Sequence, residues 1–253
     1  MSMKLLSKIF NSLITDLYKI DIIRTSIVII RFIYLYHLRK KISFYIDPQK
    51  KINEHIIMAK KDGSKDTVIT HNMHFVENFF DLKKTFKKFN GSKTMEISYP
   101  LKSIDFLNFE KEKVLSVGPR NEGELFLIRS LGFKWQNIYG EDLLSYSKLI
   151  SLGDIHNSQY EDNFFNVILC GWVITYSNSY EKILEELLRI VKNKGIISIG
   201  FTYNPKDNYS IYSTEQILKK YEKNISHVYF DFDAYKNNPS NKRHSILILK
   251  IKK

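Results

Sequence analysis

Beyond residue 113 the apolar positions of this chain fall into two spacings that take turns. Short runs of β-branched and aromatic residues lie at 114–117, 137–141, 166–170 and 195–200. Between them, at 121–131 and 179–192, apolar residues return every three or four positions, the period of a helix with one buried face. The pattern predicts strands over those four runs, helices over 121–131 and 179–192, and a loop from the second strand to 153. A further helix is expected over 213–221, with Ser213 or Thr214 as its cap and Glu215 or Gln216 in its first turn. Strands at 228–232 and 245–251 close the series, and the Asn- and Pro-containing loop 236–241 between them suits an antiparallel return. Strand–helix alternation of this kind gives a parallel sheet with right-handed crossovers. The expected fold is therefore α/β: a doubly wound, mostly parallel sheet with an antiparallel final strand.

The first hundred residues read differently, and the chain divides into a helical N-terminal extension over 1–100 and an α/β domain over 101–253. Leu5, Leu6, Ile9, Leu13, Leu17 and Ile20 recur at helical spacing, so residues 4–45 predict one or two helices. Asp21, Arg24 and Arg31 draw a narrow polar stripe on that apolar surface. Two fates fit such a stripe: docking on the main domain or on a second copy, or lying in a membrane interface. Arg39-Lys40-Lys41 would favour anionic lipid in the second case. A short helix is expected at 49–61, a turn at 62–64, and a helix at 76–89 that Asn90-Gly91-Ser92 ends. No apolar run is long enough to span a bilayer, and no small-residue cleavage site follows the basic, apolar start.

Composition narrows the class. With 253 residues, 43% hydrophobic and 14% aromatic, the chain can bury a real core. A single cysteine, Cys170, excludes a disulfide framework and a multi-cysteine zinc site, which points to a reducing, cytoplasmic setting. The net charge of +12 is uneven: residues 1–113 hold 21 Lys/Arg against 12 Asp/Glu, and the remainder 18 against 15. That excess fits an anionic partner, nucleic acid or membrane, and it equally fits a chain that is lysine-rich throughout. His71 and His74 have no third histidine or glycine-rich context, and no metal is expected.

Three candidate site elements lie where the predicted strands end. Gly118-Pro119-Arg120-Asn121-Glu122-Gly123 turns the first strand into a helix, Gly118 permitting a tight bend and Gly123 a close helix. Asp142 ends the second strand, about 20 residues on, where a carboxylate can take both hydroxyls of a ribose. Gly153-Asp154-Ile155-His156-Asn157 then leads through Tyr160–Asn166 into a buried strand that ends at Gly171. This string, with the helix from Glu181, the turn at Lys194-Gly195 and the strand to Gly200, resembles the class I S-adenosylmethionine-dependent methyltransferases over roughly residues 110–201.

The resemblance implies a Rossmann-like domain with S-adenosylmethionine as cofactor. By position, Gly118, Pro119, Arg120, Glu122 and Gly123 would approach its methionine part. Asp142 and the adjoining Leu143 would hold the ribose side, and Asp154 and Ile155 would meet the adenine. Gly171 and Trp172 would line the methyl-transfer face. Direct displacement at a methyl carbon asks the protein mainly for alignment and exclusion of water. His156, as the histidine of the site loop, is the candidate base, with packing in the adenine loop as its other role. Tyr176 and Tyr203 are candidates to position the acceptor, or else packing residues. The sequence departs from the family at Ser116, where an acid is usual, and at Arg120, where the middle glycine is usual. Arg120 either pairs with the methionyl carboxylate or fills the pocket, and Glu122 or Glu124 can replace the missing acid. The expected function is methyl transfer to a small molecule or a glycan or lipid intermediate. Its rivals are a degenerate, partner-binding relative and an RNA methyltransferase, the second made less expected by the lack of an Asn/Asp-Pro-Pro-Tyr motif.

Overall fold

A computed structural model describes residues 93–253 apart from 120–121, 146, 178, 205–210, 238–239 and 241–242. Before residue 93 it describes residues 13, 20, 22–23, 26–27, 30, 43–44, 59–61 and 64–66. The strands in chain order are β1 (Ser43–Phe44), β2 (Ala59–Lys61), β3 (Ser64–Asp66), β4 (Val114–Val117), β5 (Ile138–Asp142) and β6 (Leu144–Ser145). They continue with β7 (Ile150–Leu152), β8 (Phe165–Gly171), β9 (Val191–Tyr203), β10 (Ile225–Phe232) and β11 (Arg243–Ile251). The helices are α1 (Lys93–Ser98), α2 (Glu122–Ser130), α3 (Tyr180–Ile190), α4 (Thr214–Lys220) and α5 (Ala234–Asn237).

Seven strands form one sheet in the order β10-β11-β9-β8-β4-β5-β7. The five from β9 to β7 run parallel, and β11 lies between β9 and β10, antiparallel to both. The mostly parallel Rossmann-like sheet and its antiparallel final strand are therefore as expected. Parallel strands covered on both faces must be apolar on both, which is why Val114–Val117 and residues 167–170 are buried without alternation. One face packs Leu115, Ile168, Ile197 and Leu249 against α3 and α4 through Leu184, Leu187 and Ile217. The other packs Val167, Leu169, Ile196 and Ile248 against α1 and α2 through Ile97, Leu125 and Ile128. Both layers are made of fully buried apolar side chains, which gives the strand ends a packed base.

Several boundaries move. The loop expected up to 153 contains β7, which pairs parallel with β5 at the sheet edge. Three residues are too few to show a period. Helix α1 has no counterpart among the expected elements, because Lys93–Ser98 is only six residues long. Ala59–Lys61 pairs antiparallel with Ser64–Asp66 across the predicted turn, where the end of a helix was expected. Of the helices expected over 4–45, only isolated residues are described; Ile27 packs against Phe126 and Leu127 of α2, while Leu13, Ile22 and Ile30 are exposed. The helix expected at 76–89 lies outside the described residues. No helix among the described residues is long and apolar enough to cross a membrane.

Candidate functional site

Three turns meet at the carboxyl edge of β4, β5 and β7. Val117 is in register with Glu141, and the next amide, Gly118 N–H, donates to Glu141 O at 2.8 Å. Gly153 N–H donates in turn to Asp142 O at 3.0 Å. The main chain thus ties the glycine turn, the end of β5 and the Gly153 turn side by side. Gly118 has φ +67, and a Cβ there would run into Val173 Cγ2, so only glycine lets the first turn close this tightly. Pro119 and Gly123 are buried. Arg120 lies outside the described residues. Glu122 is buried at the start of α2, where its Oε1 accepts from Ser147 Oγ; Glu124 Oε2 accepts from Thr94 Oγ1 of α1.

Asp142 and Leu143 are half-buried at the end of β5. The residue before them is a feature the sequence did not advertise. Glu141 projects to the opposite face from Asp142 and is buried, with Oε2 accepting from Ser158 Oγ at 2.9 Å. Its Oε1 has no hydrogen-bond partner among the described residues and abuts the Cα of Gly153, where any side chain would collide with it. Burial pushes this carboxyl above its ordinary value of 4.5, against hydrogen bonds from Ser158 and the Gln159 main chain; Asp154 and Glu186 push the same way as burial.

Asp154, Ile155 and His156 are all buried. Asp154 Oδ1 accepts from His156 N at 2.9 Å and lies 2.6 Å from His156 Nδ1. His156 Nε2 lies 2.7 Å from Ser177 Oγ, which also accepts from Ser179 N at 3.0 Å. Both ring nitrogens of the expected base therefore face protein groups. The chain Asp154–His156–Ser177 joins the turn after β7 to the segment after β8, a connection invisible in sequence because its members are 21 positions apart.

At the end of β8, Gly171 pairs in register with Gly200 of β9, and Trp172 is buried in the left-handed region at φ +62. A non-glycine residue held there is strained, and its amide is fixed to Gly200 O at 2.6 Å. The indole lies against Gly200, where a Cβ would meet Trp172 Cη2 at 3.0 Å. Tyr176 is half-buried in the following turn; Tyr203, the last residue of β9, is mostly buried edge-on to Tyr235 at 5.2 Å. Arg120 apart, the predicted residues from Gly118 to Trp172 thus gather at one sheet edge, with Tyr203 at the end of β9. Among the described residues no cluster of His, Cys, Asp and Glu has the geometry of a metal site. Cys170 is wholly buried, and burial pushes its thiol up to about 12.

The edge suits an adenosyl group. A half-exposed carboxylate, Asp142, stands beside the tight turn at Gly118, with the apolar, buried Ile155 just past the next strand end. Residues 135–199 match the model of a methyltransferase domain family, about a quarter of the chain, spanning β5 through most of β9. A protein from Listeria monocytogenes assigned as an S-adenosylmethionine-dependent methyltransferase is 14% identical, covering 64% of this chain and 99% of its own, with a TM-score of 0.49. A methyltransferase of the same dependence from Aquifex aeolicus is 17% identical over 65% of this chain and 95% of its own, at 0.44. The PH0226 protein of Pyrococcus horikoshii is 14% identical over 62% and 89%, at 0.46. No curated protein matches the chain significantly in sequence. The strand order and the family match, rather than these distant likenesses, carry the assignment. On that ground the chain resembles the S-adenosylmethionine-dependent methyltransferases, the match to a methyltransferase domain family running over residues 135–199 of a sheet with Rossmann-like strand order.

Proposed function

We propose that this chain is an S-adenosylmethionine-dependent methyltransferase acting on a small molecule or on a glycan or lipid intermediate, with the cofactor seated across the ends of β8, β4 and β5. The observation that carries the seating is the pair of main-chain bonds that tie Gly118 to β5 and Gly153 to Asp142. S-adenosylmethionine supplies an electrophilic methyl group on a sulfonium sulfur. The chain's task is to hold it, align an acceptor and exclude water. Gly118 through Gly123 would receive the methionine part, with the buried Glu122 near its amino group. Asp142 would accept from the ribose hydroxyls, and Leu143, Asp154 and Ile155 would shape the adenine side. Gly171 and Trp172 would bound the methyl, with Tyr176 and Tyr203 toward the acceptor.

His156 fits a different part from the one its type suggests. With Nδ1 on Asp154, Nε2 on Ser177 and a side chain only 7% exposed, it is placed to hold the adenine-side turn against the segment after β8. A proton from the acceptor would then go elsewhere.

Calorimetry with S-adenosylmethionine and S-adenosylhomocysteine tests the seating. The wild-type chain is expected to bind both, and Asp142→Ala to weaken both by roughly ten- to a hundredfold, the loss of hydrogen bonds to a charged acceptor worth about 1.5–3 kcal/mol. Absence of binding to the wild type would remove the proposal, and undiminished binding to the variant would remove the role of Asp142.

A further inference from the structure

A second histidine lies at the same sheet edge, and its surroundings differ from those of His156. His244 is the second residue of β11, opposite Thr202 of β9, two positions beyond the Gly200 that pairs with Gly171. Its ring stands edge-on to the Trp172 indole, with centroids 5.0 Å apart. Its Nδ1 lies 3.0 Å from Glu96 Oε2 of α1, and its Nε2 has no partner among the described residues. The His244 side chain is 33% exposed and that of Glu96 41%. Lys93 Nζ, one turn earlier on α1, sits 4.9 Å from the centre of the Trp172 ring. The indole Nε1–H is buried and also without a partner among the described residues.

We infer that His244 is the group that takes the acceptor's proton, oriented by Glu96, and that the acceptor presents a hydroxyl. The inference rests on the seating proposed above. Glu96 on Nδ1 selects the tautomer that leaves a basic lone pair on Nε2, on the far side of the ring from the carboxylate, in a side chain that is one-third exposed. Trp172 links this imidazole to the strand end where the methyl is expected. A neutral hydroxyl is a poor nucleophile until its proton is removed, whereas an amine attacks through its own lone pair and a thiol ionises readily. A carboxylate-held imidazole with one open nitrogen is thus of most use to a hydroxyl. His244 Nε2 takes the hydroxyl proton as the oxygen bonds to the methyl carbon. The carbon–sulfur bond breaks with its electron pair left on sulfur, giving a methyl ether, S-adenosylhomocysteine and an imidazolium facing Glu96. The unpaired indole N–H is a further donor within this cluster.

The test uses the full chain labelled with ¹⁵N-histidine. Saturating S-adenosylhomocysteine is expected to shift the His244 signals, and Glu96→Gln to lower the pH at which they titrate, since it removes the negative charge from beside Nδ1. Methyl transfer from S-adenosylmethionine is then measured to catechol, 1,2-diaminobenzene and thiophenol as hydroxyl, amine and thiol probes. Transfer to catechol that falls about a hundredfold or more in kcat for His244→Gln, with S-adenosylhomocysteine affinity kept, supports the inference. Glu96→Gln should move the acidic limb of the pH profile downward. Transfer to the amine or thiol, or a His244→Gln variant as active as the wild type, overturns it. If no probe is turned over, the spectra decide: shifted His244 signals support the inference and unmoved signals overturn it. Loss of wild-type S-adenosylhomocysteine binding would instead overturn the seating on which it rests.

Discussion

At the scale of single residues, chemistry at this edge is set by what each side chain can no longer reach. Asp142 and Glu141 are neighbours with the same functional group, yet strand alternation leaves one half-exposed at the strand end and sends the other into the protein. Glu141 shows the cost of that placement, with one oxygen unpaired among the described residues and burial raising its pKa. A carboxyl whose folded pKa lies above its unfolded value favours folding most at pH below the unfolded pKa. That contribution declines as pH rises through the folded value. Glu141→Gln keeps the acceptor for Ser158 but cannot ionise, so its melting temperature should gain on the wild type as pH climbs from acid to neutral, as read by thermal unfolding. A gap that stays constant with pH would show that Glu141 is not the titrating group. Nothing in the string Ile138-Tyr-Gly-Glu-Asp142 marked Glu141 as buried, because alternation gives the two faces but not which of them is covered.

At the scale of elements, the caps and turns carried the clearest signals and the joints between elements carried none. The cap of α4 was legible: Ser213 Oγ accepts from Glu215 N, and the Gln216 side chain accepts from Ser213 N. Its neighbour Asp233 was not. Burial pushes that carboxyl up, but bonds from Ser213, the Lys236 main chain and Thr214 outweigh it and hold the pKa below 3.8. The joint that matters for the site is Asp154–His156–Ser177. Ser177→Ala would remove the buried hydrogen bond between Ser177 Oγ and His156 Nε2, at a cost of about 0.5–1.5 kcal/mol in urea unfolding. It should also weaken S-adenosylhomocysteine binding while leaving the shape of any pH–rate profile unchanged. An altered profile with intact stability would return His156 to the role of base.

At the scale of the whole molecule, the site edge depends on contacts between distant parts of the chain. Ser198 Oγ donates to Ile97 O across 101 positions, seating α1 on the sheet, and the paired glycines Gly171 and Gly200 make room there for Ile97 and Trp172. A Cβ at Gly200 would meet Ile97 Cγ2 at 2.8 Å. Gly200→Val should therefore lift α1 and cost about 1–3 kcal/mol as an overpacked core, measurable by denaturant unfolding, and should disturb Glu96 and His244 together. An unperturbed variant would mean that α1 is not seated as described. The sequence by itself determined the succession of the longer strands and helices beyond residue 113, the glycine turn, and the aspartates at the strand ends, because periodicity and turn chemistry act over a few residues. Tertiary structure alone decided which carboxylate is buried, which histidine is enclosed and which is left open, and that α1 reaches the site at all. Those outcomes depend on which faces meet, and a face is chosen only when strands far apart in the chain come into register.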